Sequence, residues 1–165
     1  MQSKCLVAGL VGSLFAVAVG GTVHRFMTEM EAARPVLECI VTIDGWETPW
    51  LPVATEVAQM EKGMSGPTPG PGMLFNWTTS EQRMFWMKNT VVPLSIAFID
   101  SAGVIVEIQE MEVESEQIHT SSKPAMEALE IRAGVLEEHG ITVGSRITGR
   151  ECRGITSAQS EGVSQ

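Results

Sequence analysis

Polar side chains follow a short apolar run near the middle of the chain. Lys88, Asn89 and Thr90 supply an ammonium, an amide and a hydroxyl group, and Trp86 adds a large apolar surface just before them. Such a set can orient a polar ligand by hydrogen bonds against an apolar wall. The same residues also suit a structural role, because Asn and Thr side chains satisfy backbone groups at turns and Trp fills cores. We keep both interpretations, and we favour Lys88 for ligand contact and Asn89 for structure.

A histidine in a hydroxyl-rich stretch is the second candidate. His119 is followed by Thr120, Ser121 and Ser122, and a Ser–His pair can activate a nucleophile when an acid orients the imidazole. The sequence has neither the Gly-x-Ser-x-Gly motif of serine hydrolases nor the His-Glu-x-x-His motif of zinc enzymes. We therefore keep His119 as a ligand-contact candidate and favour a loop histidine over a catalytic base.

Five glutamates lie within ten residues, at Glu107, Glu110, Glu112, Glu114 and Glu116. Carboxylates can hold a hard cation such as Ca²⁺, and two of them at a suitable separation can cleave a glycosidic bond. No Asp-rich calcium loop accompanies them. Charges on an exposed edge strand also deter edge-to-edge pairing with a strand of another molecule. We favour this last interpretation, in which the acids are a solvated strand face.

Ten methionines raise the question of a Cu(I) site, since thioethers are soft ligands. Met84 and Met87 are three residues apart, which places them on opposite faces of a strand. Others, such as Met60 and Met126, suit the filling of a core. We therefore predict no metal site and no cofactor.

The composition narrows the class of protein. The chain has 165 residues and a formal net charge of −9, with 20 acidic against 11 basic residues. This length fits one domain, and 44% apolar with 19% charged residues is typical of a globular protein. Nucleic acid is not an expected partner, because its binding depends on Lys and Arg that neutralise phosphates. The absence of Tyr also disfavours stacking on single strands.

The hydrophobic pattern predicts a mainly β protein of the α+β kind, with one or two short helices in a small, compact, sheet-like or barrel-like single domain. Strands are expected over residues 36–43, 50–55, 72–77, 83–88, 94–100, 104–113 and 146–152. A short helix is expected over residues 56–64 and a single turn over residues 135–139, whereas residues 125–131 fit either a helix or a strand. A bulge near Gln109 would give residues 104–113 one continuous apolar face.

The N-terminal segment is predicted to direct export. Lys4 precedes residues 5–21, which carry no charge and end in small side chains. This pattern is typical of a signal peptide, and an uncleaved membrane anchor is the alternative. We expect a spacer over residues 22–35, the β domain over residues 36–153 and a disordered tail over residues 154–165. The protein is then periplasmic or extracellular, either free or held at the membrane by residues 5–21.

Two cysteines flank the expected β domain. Cys39 lies in its first strand and Cys152 at the end of its last strand. An oxidising compartment permits a disulfide between them, and two separate thiols are the alternative. A bridge would close a loop on the order of 100 residues and stabilise the fold by roughly 4–5 kcal/mol in the chain-entropy model. The sequence leaves both states open.

Several stretches share a pattern with a known family. They are Gly63-Met64, residues 72–75 (Gly-Met-Leu-Phe), residues 85–90 (Phe-Trp-Met-Lys-Asn-Thr) and residues 93–100 (Pro-Leu-Ser-Ile-Ala-Phe-Ile-Asp), with Pro124, Leu129-Glu130 and Ala133-Gly134 further along. Together they resemble the family called domain of unknown function 192, over about residues 39–147. The resemblance implies a small, mainly β domain that is frequently made with a signal peptide, and it implies no particular reaction. Ser95 stands where the family usually has Asp, and His119 where Tyr is common.

These observations favour an exported protein that binds a small or envelope-derived ligand without catalysis, through Trp86, Lys88, Asn89, Thr90 and His119. The first alternative is a hydrolase of envelope material that uses His119 or an acidic pair. The second alternative is a structural or assembly partner at the membrane, held there by residues 5–21.

Overall fold

The computed structural model of the chain describes residues Val36–Ile155. The predicted signal or anchor segment, the spacer and residues 156–165 lie outside this part. Within the described residues, no helix combines the length and the apolarity needed to cross a membrane.

Ten strands and two short helices make up the described domain. In chain order they are β1 (Val36–Ile43), β2 (Trp46–Glu47), β3 (Leu51–Ala54), α1 (Val57–Lys62), β4 (Gly72–Glu81), β5 (Met84–Phe85), β6 (Leu94–Ile99), β7 (Ile105–Met111), β8 (His119–Thr120), β9 (Ala125–Arg132), α2 (Val135–Glu138) and β10 (Ile147–Ile155). The mainly β architecture with short helices is confirmed.

One large sheet organises the domain, and the short strands β5 and β8 pair separately. Its strands follow the order β10-β1-β3-β4-β9-β6-β7, with β2 paired to β1. The two outer strands approach each other at one end, where Val104 bridges Arg146 and the Ile105 amide donates to the Ser145 carbonyl at 2.8 Å. The sheet is therefore curled and partly closed, as the barrel-like expectation requires.

The central strands are buried on both faces. In β6, Ala97 and Ile99 enter one core cluster, whereas Ile96 and Phe98 enter a second cluster on the opposite face. This alternation follows from the two-residue period of a strand. The uninterrupted apolar run of β6 is thus explained by cover on both sides, because all six of its residues are buried.

The structure resolves one open question, since residues 125–131, which fitted helix or strand, form β9 and pair with β4 on one side and β6 on the other. Three local expectations differ from the structure. The bulge lies at Val106 and not near Gln109, since Phe98 pairs with Glu107 while Ile99 pairs with Ile105. The strand expected over residues 83–88 is limited to β5, and β10 extends two residues beyond position 153, into the expected tail.

Cys39 and Cys152 are joined by a disulfide across the β1–β10 pair. The two residues lie directly opposite each other in the register and are 113 residues apart in sequence. Because β10 is an outer strand with mostly exposed residues, the bridge ties a weakly buried element to the core.

Reduction of this disulfide should destabilise the protein. We expect the C39S/C152S variant, or the wild type in reductant, to lose roughly 4–5 kcal/mol of unfolding free energy, because the closed loop is long. Urea denaturation with and without reductant measures the loss. The double variant is the matched control, because reductant should leave its stability unchanged. A wild-type protein that is equally stable in both conditions would contradict the bridge.

Gly72 is required by the close approach of β4 to β9. A Cβ atom at this position would lie 2.6 Å from the Glu130 carbonyl oxygen and 3.1 Å from Leu51 Cδ2. We expect G72A to destabilise the fold by about 1–3 kcal/mol, because backbone must shift to admit the methyl group. The control is G70A, since a Cβ at exposed Gly70 would meet its nearest atom only at 4.0 Å. Equal stabilities of the two variants would show that the strands do not approach as described.

Candidate functional site

An open cleft of about 610 Å³ lies over the second core cluster. Its lining comes from α1 and the turn after it, from β4, from residues 82–86, from Lys88 and Thr90, and from Glu130 of β9. The cleft therefore combines a sheet face with a helix and two loops. We call it the aromatic cleft, after its wall residues Phe75, Trp77, Phe85 and Trp86.

Three rings form a packed wall inside the cleft. Phe85 meets Phe75 edge-on with ring centroids 4.9 Å apart, and Trp77 lies 6.0 Å from Phe75 and 6.1 Å from Phe85. Aromatic pairs at these separations contribute a favourable interaction energy in addition to that gained by burying their apolar surface. The wall is consequently a preformed apolar surface, held by β4 and by the β5–β8 pair.

Glu130 lies at the base of the aromatic cleft. It is only 3% exposed, and its neighbours across the sheet are Met73 on β4 and Ile96 on β6. Its Oε2 atom has no hydrogen-bond partner among the described residues. Burial raises the pKa of Glu130 to about 8, because the apolar surroundings penalise the charged form. At neutral pH, Glu130 is therefore mainly an uncharged carboxylic acid.

The turn after α1 covers this carboxyl group. Gly63 has φ +49°, and a Cβ atom there would lie 3.6 Å from Glu130 Oε2 and 3.7 Å from the Phe75 ring. Positive φ is strained for residues with a side chain, so glycine is favoured at this turn. α1 is held in place at its start by Gln59, whose Oε1 accepts from the Glu56 amide at 3.1 Å.

Basic groups line the upper part of the cleft. The Arg83 guanidinium lies 4.3 Å from the Trp77 ring centre, and Arg83 Nε donates to the Ala125 carbonyl at 3.2 Å. Burial lowers the pKa of Arg83 from its ordinary value, and the charge of Glu81 opposes this shift. Lys88 Nζ lies 5.4 Å from the Trp86 ring centre and 3.8 Å from Glu116.

The structure brings together three of the five predicted ligand contacts. Trp86, Lys88 and Thr90 all line the cleft. Asn89 does not line it, and its carbonyl accepts from the Gly66 amide at 2.9 Å in a turn where Asn89 has φ +59°. Asn tolerates this left-handed conformation better than most residues, which is a structural reason for its presence.

His119 and the five glutamates of residues 107–116 lie outside the cleft lining, and the expected acidic strand face is only partly formed, because β7 ends at Met111. His119 is buried on β8, opposite Phe85, and its Nδ1 lies 3.1 Å from the Gln109 amide oxygen. Burial of Glu107 opposes its ionisation, yet hydrogen bonds from Ser122 and Gln109 outweigh it and lower the pKa of Glu107. Within residues 36–155, no group of three or more His, Cys, Asp or Glu side chains could hold a metal ion.

Sequence reasoning missed the residues at the base and wall of the cleft. Glu130 had two signals, since it is an acid between Leu129 and Ile131 and belongs to a stretch that resembles the family. The helix-or-strand ambiguity of residues 125–131 concealed which face it occupies. Phe75 also belongs to such a stretch, whereas Trp77 had no signal beyond strand periodicity, because core aromatics give the same pattern.

The buried carboxyl group makes stability depend on pH. Between pH 4.5 and about 8, the folded state keeps a proton on Glu130 that the unfolded chain has lost. Stability of the wild type should therefore fall as pH rises across this interval, by on the order of 4 kcal/mol relative to E130Q. Urea denaturation of both proteins from pH 5 to 9 measures the difference.

The matched control is E112Q, because Glu112 is an exposed acid directly after β7. It should keep the pH dependence of the wild type. If E130Q also keeps that dependence, Glu130 does not titrate as the structure requires.

Comparisons with known proteins identify the family. The model of domain of unknown function 192, described as "Uncharacterized ACR", matches residues 39–149, which include every strand that contributes to the cleft. A protein of unknown function from Novosphingobium aromaticivorans has a similar structure, with a TM-score of 0.59, 27% identity, and coverage of 69% of this chain and 83% of that chain.

A structure from Sinorhizobium meliloti, named a "putative transcription regulator", has a TM-score of 0.59 and 31% identity, over 73% of this chain and 95% of that chain. No curated protein shows a significant match. The family model spans most of the described domain, so the earlier resemblance is confirmed. The chain belongs to the family of domain of unknown function 192.

Proposed function

We propose that the protein binds a small or envelope-derived ligand in the aromatic cleft without transforming it. Trp86, Lys88 and Thr90 supply contacts along the cleft, and Glu130 supplies a hydrogen bond at its base when a ligand displaces the Gly63 turn that otherwise covers Oε2. The unpartnered, buried Oε2 of Glu130 is the single observation that carries this proposal.

The energy of that carboxyl group supports a binding role. A buried polar group without a hydrogen bond destabilises a protein by about 1–3 kcal/mol, and a fold gains nothing from keeping one in its core. A ligand atom that hydrogen-bonds to Oε2 would remove this unfavourable free energy, and the gain would contribute to the affinity for the ligand. Acids with perturbed pKa values in clefts are concentrated at functional sites.

The dimensions and chemistry of the cleft also fit a small molecule. Its volume of about 610 Å³ lies within the roughly 300–1,000 Å³ of small-molecule sites. Such sites combine mostly apolar walls with a few polar groups that fix orientation. Here Phe75, Trp77 and Phe85 form the wall, and Glu130 provides the fixed polar group.

A hydrolase is the alternative function, and the uncharged state of Glu130 favours it too, because a protonated carboxyl group can act as a general acid. Glycoside cleavage needs a second carboxylate, and Glu61 on α1 is the other acid that lines the cleft. His119 and Glu107 are engaged with Gln109 and Ser122, respectively, and we assign them no catalytic step.

Export is part of the proposal. The Cys39–Cys152 disulfide supports an oxidising compartment, where such bridges form and persist. Residues 5–21 would deliver the chain to it, and an assembly role at the membrane would depend on the same segment. We do not extend the regulator description of the Sinorhizobium protein to this chain, because a net charge of −9 opposes binding to phosphate backbones.

Loss of Trp86 should weaken binding, because Trp86 lines the cleft and is 50% exposed. We expect compounds in a panel of small aromatic and aliphatic metabolites to raise the thermal midpoint of the full-length wild type. Their affinities for W86A should fall about tenfold, by isothermal titration calorimetry.

The matched control is W50A, because Trp50 packs on Arg153, with 3.9 Å between the guanidinium carbon and the ring centre, and does not line the cleft. It should bind like the wild type. A panel without hits, or hits that bind W86A as tightly as the wild type, would contradict the proposed site.

A further inference from the structure

The buried end of the cleft selects for an uncharged hydroxyl group. Glu130 Oε2 needs one hydrogen-bond partner, and the carboxylic acid carries its proton on either oxygen. A ligand hydroxyl group suits both arrangements, because it can accept from the acid or donate to it. An ammonium group would instead bring an unpaired charge among Met73, Phe75 and Ile96, which is unfavourable in apolar surroundings.

The middle of the cleft selects for a flat apolar body. Trp77 and Phe85 present a preformed aromatic surface supported by the buried Phe75 ring, and the mouth adds Trp86 and Met84, which is 72% exposed. Large apolar side chains that remain exposed beside a cleft mark a surface that a ligand can cover. An aromatic ligand gains both area burial and ring contacts on this surface.

The outer part of the cleft selects for negative charge. Lys62, Arg83 and Lys88 line it, whereas Glu61 is its one acid besides uncharged Glu130 among the described residues. Three of the eight Lys and Arg residues in the described part of this acidic chain are thus gathered here. The Lys88–Glu116 ion pair is long, at 3.8 Å, and Glu116 does not line the cleft. The Arg83 side chain is only 12% exposed and donates to the Ala125 and Thr79 carbonyls, so it adds positive charge without offering a free donor.

We propose that the ligand is a monoanionic aromatic compound with a hydroxyl group at the end opposite its acidic group. This inference rests on the proposed function and names the ligand class of the same site. The hydroxyl group binds Glu130, the rings lie against Trp77 and Phe85, and the acidic group faces Lys62 and Lys88. A cationic ligand is disfavoured because it would meet three basic groups at the outer part of the cleft.

Three matched probes separate the three features. They are 6-hydroxy-2-naphthoate, 2-naphthoate without the hydroxyl group, and 6-(aminomethyl)-2-naphthol with the opposite charge. We expect calorimetry on the full chain at pH 6.5 to show that the hydroxy acid binds about tenfold more tightly than 2-naphthoate, through one buried hydrogen bond. The amine should bind more weakly than either acid.

Variants of Glu130 and Lys88 test whether these residues cause the differences in probe affinity. E130M replaces the acid with an apolar side chain of similar length, so the two acids should bind it equally. E130Q keeps a hydrogen-bond donor and should keep the preference for the hydroxy acid. K88Q should weaken both acids about threefold, because Lys88 is half exposed, whereas K123Q, at an exposed lysine outside the cleft, should not.

Several results would overturn the ligand class. They are equal affinities of the two acids for the wild type, tighter binding of the amine, and no binding of any probe up to millimolar concentration. If the probes fail while metabolite hits still depend on Trp86, the ligand class is wrong and binding in the cleft stands. If W86A does not affect any hit, the proposed function itself fails.

Discussion

A carboxyl group held among apolar neighbours on an inner strand of the sheet is the constraint on which the proposed site depends. Glu130 lies between Met73 and Ile96 in the register of β9 and is covered by the turn that contains Gly63. Desolvation keeps the group protonated at neutral pH. The protein thereby presents an uncharged hydrogen-bonding group at the base of an apolar cleft, which is an arrangement suited to recognition and unhelpful to stability.

The rest of the fold holds this arrangement in place. Side chains on one face of β4, β6 and β9 pack into the first core cluster, inside the curled sheet. Side chains on the opposite face of the same strands form the second core cluster. The short β5–β8 pair and the helix α1 cover only part of this second face, and the aromatic cleft lies between them. Gly72 permits β4 to approach β9 beside Glu130, and the Cys39–Cys152 bridge ties down the outer strand β10.

The sequence determines the elements more clearly than the site. Periodicity finds the strands of the sheet, and the chemistry of residues 86–90 indicates three side chains that do line the cleft. It does not show that β9 is a central strand, because Ala125–Arg132 carries apolar residues at both helical and strand spacings. The role of Glu130 follows from the pairing of β9 with β4 and β6, and those contacts join segments more than 25 residues apart. Local patterns carry no information on such pairing, so the base of the cleft emerges only from the fold.

The most direct test is a titration of the Glu130 side chain by carbon-13 NMR, with assignment from E130Q. We expect a midpoint near 8, together with a change in the Glu130 signal when a ligand occupies the cleft. A midpoint near the ordinary value of 4.5 would show that the carboxyl group is hydrated or paired in solution. In that case the cleft would lack the unsatisfied group on which the proposed binding rests.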